Sequence, residues 1–139
     1  PRVDIAEVEP AALATGKGER VLVVEDEPAA RQGLLELLEV LGYEAVAVGS
    51  GGEAGHAAAS STFDLLLTDL MLPDVSGADL AVTLSERWPE MKVILMSGYA
   101  EDEYVRLRAF TGVVRFLQKP FDVETLAREL RAALGGEGG

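Results

Sequence analysis

Three unbroken apolar runs constrain this chain more than any other feature. Val21-Leu22-Val23-Val24, Leu65-Leu66-Leu67 and Val93-Ile94-Leu95-Met96 contain no polar residue. A strand with one wet face alternates apolar and polar side chains, whereas a strand covered on both faces need not. Between the runs lie segments of helical period. Leu34, Leu35, Leu37, Leu38 and Leu41 recur at helical spacing, and Gly42 marks the stop. The pattern predicts strands over 21–24, 43–48, 64–68, 92–96 and 113–117. Beyond the first helix it predicts helices over 51–60, about 78–87 and 101–110. Trp88-Pro89 ends the third, because a residue before proline disfavours helical geometry. Asp122 caps a fifth helix with Leu126, Leu130 and Leu134 on one face. Five strands alternating with five helices through short connections require a parallel sheet covered on both faces, an α/β fold.

The length of 139 residues fits one domain with short tails. Residues 1–18 are rich in Ala, Glu, Gly and Pro without a period and read as a linker or arm. The domain is expected over 19–134, with a flexible tail over 135–139. No apolar stretch is long enough to span a bilayer and no signal peptide is expected, so no direct membrane contact is expected. Absence of cysteine excludes disulfides and thiolate metal sites, and points to a cytoplasmic setting. Twelve basic residues against 24 acidic ones give a net charge of -12. Such a surface repels nucleic acid, whose binding needs clustered Lys and Arg.

The polar residues next to the strands carry the functional signal. Glu25 and Asp26 follow the first predicted strand, Asp69 the third, Ser97 the fourth and Lys119 the fifth. All stand at carboxyl ends, the edge where open α/β sheets bind ligands. One acid after a strand is usually a helix cap, but four such placements on one edge are hard to explain that way. Three carboxylates close together repel, and Lys119 supplies one positive charge. A hard divalent cation with oxygen ligands, magnesium above all, resolves the remainder. Asp69 is then a metal ligand and a candidate nucleophile toward a phosphoryl group. The metal and Lys119 would offset charge on the transferring oxygens, and the Ser97 hydroxyl can donate to one of them.

These residues sit in motifs that resemble the receiver (response-regulator) family of two-component systems. The motifs are Val21-Leu22-Val23-Val24-Glu25-Asp26-Glu27-Pro28, Asp64-Leu65-Leu66-Leu67-Thr68-Asp69-Leu70-Met71-Leu72-Pro73-Asp74-Val75-Ser76-Gly77, Val93-Ile94-Leu95-Met96-Ser97-Gly98-Tyr99 and Phe116-Leu117-Gln118-Lys119-Pro120-Phe121. Each alone is weak; their order and spacing together are specific. The resemblance implies a flavodoxin-like (βα)5 three-layer sandwich with strand order 2-1-3-4-5. It implies that Asp69 accepts phosphate from a phosphohistidine, with Lys119 pairing with the phosphoryl group. Asp26, Asp69 and the Met71 backbone carbonyl would hold Mg2+ directly, and Glu25 through water. Ser97 and Phe116 match the switch pair, and the Lys119-Pro120 bond would be cis. Expected partners are a histidine kinase or a histidine phosphotransfer domain. Self-association through the fourth helix (101–110), fifth strand and fifth helix is a further expectation. Tyr104, Val105, Leu107 and Phe110 form an apolar face on that helix, read first as core packing, with part of it as the alternative partner surface.

The departures are small. Glu25 stands where Asp is also frequent, Ser97 replaces the commoner Thr, and Phe116 replaces Tyr and so lacks the phenol. The resemblance implies that Met71 and Tyr99 would flank the path of hydrolytic water. Pro73 and Gly77 are read as turn-makers that shape the loop beside Asp69. His56, the only histidine, is read as a surface residue and Trp88 as helix-end packing. The segment beginning Pro1-Arg2-Val3 and the acidic linker after it resemble the junction behind the ATP-binding domain of hybrid sensor histidine kinases. A receiver from such a kinase is therefore expected, with a stand-alone regulator as the alternative. A phosphatase of the haloacid dehalogenase type needs an acid two residues after its nucleophile, where this chain has Met71. A pseudo-receiver should lack some of Asp26, Asp69, Ser97 and Lys119, and all are present.

Overall fold

A computed structural model describes residues 14–98 and 114–135. The described elements run β1 (Arg20–Val24), α1 (Pro28–Val40), β2 (Glu44–Val48), α2 (Gly51–Ser60), β3 (Leu65–Asp69), α3 (Gly77–Arg87), β4 (Lys92–Ser97), β5 (Val114–Gln118) and a C-terminal helix (Val123–Ala133). The five strands form one parallel sheet in the order β2-β1-β3-β4-β5. The expected α/β architecture and strand order are therefore those observed.

Each described helix starts where a side chain can satisfy an orphan amide. Glu27 accepts from the Ala30 N–H, Ser50 from Glu53, Ser76 from Asp79 and Asp122 from Thr125. Pro28 opens α1, where its missing N–H costs nothing. Gly42 follows α1 with φ 97°, a left-handed conformation that an L side chain resists. Around the sheet the apolar residues separate into two clusters. Val21, Val23, Leu65, Leu67, Ile94, Met96 and Leu117 pack with α1 and the C-terminal helix. Leu22, Val24, Leu66, Val93 and Leu95 pack with α2 and α3. Neighbours in a strand point to opposite faces, so two buried faces explain the unbroken apolar runs.

Several boundaries differ from expectation by a residue. Asp69 and Ser97 are the last residues of β3 and β4 rather than the first beyond them, and β5 runs on to Gln118 rather than ending at Leu117. Their amide and carbonyl groups can still pair with adjacent strands, and apolarity alone does not register that. Leu134 caps the C-terminal helix and is half-buried, while Leu126 and Leu130 are in the core. The helix predicted over 101–110 lies outside the described residues. Composition hid the placement of residues 16–18. The Gly16 N–H donates to the Leu41 carbonyl at 2.7 Å and Gly18 to Gly42 at 2.9 Å. A Cβ at Gly16 would lie 2.6 Å from the Tyr43 ring. Among the described residues, no helix is long and apolar enough to cross a membrane.

Candidate functional site

Strand parity assembles the site. Val21 and Val23 of β1, Leu65 and Leu67 of β3, and Leu117 of β5 all belong to the cluster under α1 and the C-terminal helix. Two residues further along each strand lie Glu25, Asp69 and Lys119. The period of two sends all three toward the same face at the carboxyl edge. β1 and β3 are neighbours, and the lysine stem reaches across β4 from β5. Lys119 Nζ stands 2.7 Å from Asp69 Oδ2 and 3.0 Å from Glu25 Oε1.

The remaining carboxylate oxygens are held by backbone amides. Asp69 Oδ1 accepts from the Met71 N–H at 3.0 Å, and Glu25 Oε2 from Glu27 at 3.1 Å. Both acids are buried, at 2% exposure for Glu25 and 7% for Asp69. Burial by itself pulls the Lys119 ammonium down, but hydrogen bonds and charge from Asp69 and Glu25 outweigh it, so its pKa is raised. Asp26 is exposed, and its carboxylate makes no hydrogen bond or ion pair among the described residues. One ammonium therefore faces two buried carboxylates, and a third, exposed acid follows Glu25 in the chain.

Among the described residues, no group of three or more His, Cys, Asp or Glu side chains forms a ready metal cage. Magnesium does not need one, because it takes one or two carboxylates and keeps several waters. The buried Asp69 and Glu25, with the unengaged carboxylate of Asp26 following Glu25 in the chain, offer oxygen-only donors of the type a hard cation takes.

Ser97 and Phe116 follow the opposite parity. Ser97 ends β4 at 2% exposure, and Phe116 packs against the cluster under α2 and α3, paired with Leu95. The Ser97 carbonyl accepts from the Lys119 N–H at 2.9 Å, tying the ends of β4 and β5. The Lys119–Pro120 bond is cis. Met71 is 66% exposed beside Asp69. Pro73 lies at the exposed tip of the loop that follows β3. Gly77 closes that loop: its N–H donates to the Leu70 carbonyl at 2.8 Å, and a Cβ there would overlap the Asp69 carbonyl oxygen. Tyr99 lies outside the described residues, and His56 is exposed on α2.

Two residues at this edge escaped the sequence reading. Arg31 Nη1 donates to the Glu25 carbonyl at 3.0 Å, bracing the acidic segment from α1. Asp74 reaches the start of α2, accepting from the Gly51 and Gly52 N–H groups at 2.9 Å each. Pro73 and Gly77 signalled a turn, but no local pattern says which helix a residue of that turn touches.

Comparison with known proteins bears on the family and the fold. The model of the response regulator receiver domain matches residues 21–131. The chain is 34% identical over 116 residues to the sensor kinase CckA of Brucella abortus, covering 82% of this chain and 12% of that protein. It is 31% identical over 118 residues to the response regulator receiver protein CpdR of the same organism, covering 83% of this chain and 96% of CpdR. A CheY-like receiver domain from Methanospirillum hungatei superposes with a TM-score of 0.79 at 29% identity, covering 85% of this chain and 94% of that one. With the strand order, the acidic carboxyl edge and a family match over most of its length, this chain belongs to the response regulator receiver domains of two-component signal transduction.

Proposed function

We propose that this domain accepts a phosphoryl group on Asp69 from a phosphohistidine, in a magnesium-dependent reaction that switches a protein-binding face. The observation that carries the reading is the Lys119 ammonium bonded to both Asp69 and Glu25 in a largely buried cluster at the carboxyl edge. An Asp69 carboxylate oxygen attacks phosphorus, the phosphorus–nitrogen bond breaks, and the electron pair leaves with the imidazole. Lys119 moves from Asp69 Oδ2 to a phosphoryl oxygen, following the negative charge. Asp26, Asp69 and the Met71 carbonyl would hold a magnesium ion, with Glu25 acting through water, and the ion would supply further positive charge against those oxygens. The Ser97 hydroxyl then donates to the phosphoryl group, and the Phe116 ring turns inward to fill the vacated space. Water later attacks the acyl phosphate, so the domain catalyses both its own phosphorylation and its own dephosphorylation without being a free-standing enzyme.

The reading places the receiver over 19–134, with 1–18 as a linker and 135–139 as a tail, in a cytoplasmic setting. Its partner is a histidine kinase or a histidine phosphotransfer domain, and self-association would use the 101–110 segment, β5 and the C-terminal helix. Similarity to part of a sensor kinase supports an origin in a hybrid histidine kinase. A stand-alone regulator is the second reading, favoured by the near full-length match to CpdR.

The test is incubation with acetyl phosphate and magnesium, followed by intact-mass measurement. A single phosphate adduct is expected in the wild type and none in Asp69→Asn. An adduct retained by that variant removes Asp69 as the acceptor. Failure of the wild type to form either the adduct or a beryllofluoride complex supports a receiver that only binds partners.

A further inference from the structure

The loop between β3 and α3 is fixed at its base by the sheet and at its tip by a different helix. At the base, Gly77 closes on Leu70, and Met71 and Ser76 form an antiparallel bridge. At the tip, the two oxygens of Asp74 take the first two amides of α2: Oδ1 from Gly51 and Oδ2 from Gly52, both at 2.9 Å. The backbone hydrogen bonds from these amides hold the Asp74 carboxyl below its ordinary value. Val75 lies so close to Gly51 that a Cβ there would overlap its Cγ1. Gly51 thus has a packing reason to be glycine, and the approach brings Asp74 within reach of both amides.

Helix α2 does not depend on Asp74 for its own cap. Ser50 Oγ accepts from the Glu53 N–H at 3.1 Å, and the Glu53 carboxylate reaches back to the Gly49 N–H at 2.8 Å. Free amides at a helix start attract an anion, and here that anion belongs to the loop whose base carries Met71. The Met71 N–H holds Asp69 Oδ1. Its carbonyl is the third protein ligand in the proposed magnesium site.

We infer that Asp74 is a positioning residue: by clamping the loop tip to α2 it holds the Met71 backbone in register with Asp69, and so sets magnesium affinity. This rests on the reading of Asp69 as the phosphoacceptor. Asp74 touches neither metal nor phosphate; it acts through the backbone between Met71 and itself. Partners of this kind change metal affinity by about 10- to 100-fold when removed.

The experiment compares wild type, Asp74→Ala, Asp74→Asn and Ser50→Ala. For each, the magnesium dissociation constant is measured by calorimetry, the rate of adduct formation with acetyl phosphate is followed at rising magnesium, and thermal unfolding is recorded. Asp74→Ala is expected to weaken magnesium binding about tenfold and to approach the wild-type rate at saturating magnesium. Asp74→Asn, which keeps one acceptor oxygen, is expected to fall between the two. Ser50→Ala removes the cap of α2 itself, and is expected to lower the melting temperature with magnesium affinity unchanged. Wild-type magnesium affinity in Asp74→Ala overturns the inference, as does an equal loss of affinity in Ser50→Ala, which would make the effect one of helix stability. A wild type that forms no adduct overturns the phosphoacceptor reading and this inference with it. A wild-type adduct with an unaffected Asp74→Ala overturns this inference alone.

Discussion

Arg20 and Lys119 stand at opposite edges of the same sheet, and the contrast separates scaffold from chemistry. Their side chains are equally exposed, at 32% and 33%. Arg20 starts β1 at the amino edge. Its guanidinium donates to Glu44, Ser61 and the Thr62 carbonyl, and lies 4.8 Å over the Phe63 ring. Its acidic partner, Glu44, is 71% exposed. Lys119 at the carboxyl edge meets Glu25 and Asp69, whose side chains are 3% and 10% exposed. Water screens the first cluster and leaves it little electrostatic work to do. The second keeps more buried negative charge than its single ammonium balances, and a site in that state can take a cation or a transferring group.

Lys119→Met would break the contrast hardest. It leaves two buried carboxylates without a counter-ion and is expected to cost about 3 kcal/mol at neutral pH, read by urea denaturation. The pH dependence follows from the raised pKa of Lys119. A raised folded-state value means the ion pair's contribution is fully present below the unfolded value of about 10.4. That contribution is lost as pH rises through the folded value. The stability gap between wild type and Lys119→Met should therefore close in that alkaline window. Tyr43, whose hydroxyl is also raised by burial, titrates in both proteins and cancels from the difference. A gap that does not change with pH would mean that the lysine acts through packing alone.

Gly77→Ala tests how tightly the backbone around Asp69 is packed. The added Cβ meets the Asp69 carbonyl and the Leu70 Cα, backbone atoms that cannot swing aside. A loss of about 2 kcal/mol is expected in thermal unfolding, together with slower adduct formation. Unchanged stability would show that this loop yields more readily than the close approach implies.

The smallest effect belongs to the amino edge. Glu44→Ala is expected to cost about 0.5 kcal/mol or less by denaturant titration, with adduct formation unchanged. A cost comparable to that of Lys119→Met would erase the distinction drawn between the two edges.

Legibility from sequence followed the range of each interaction. The strands, the described helices apart from their end residues, and the charged residues near strand ends were readable, because apolar runs, caps and helical spacing are local signals. Parity even indicates that Glu25, Asp69 and Lys119 share a face once the strands are placed. The one-residue shifts at Asp69, Ser97 and Gln118 were not readable, since ladder pairing and not apolarity ends a parallel strand.

What the sequence determined by itself was an α/β alternation, two buried faces and an acidic cluster of chemical types suited to a hard cation. Tertiary structure alone decided which groups meet. It brought Lys119 to Glu25 across 94 residues and to Asp69 across 50, and joined Arg131 to Glu19 across 112. It also seated Gly16 against Tyr43 and Asp74 on the first amides of α2. The reason is physical. A period of two or 3.6 residues records which side of an element is apolar, whereas a hydrogen bond needs two atoms within about 3 Å. Only the packing of whole elements sets that distance between segments remote in the chain.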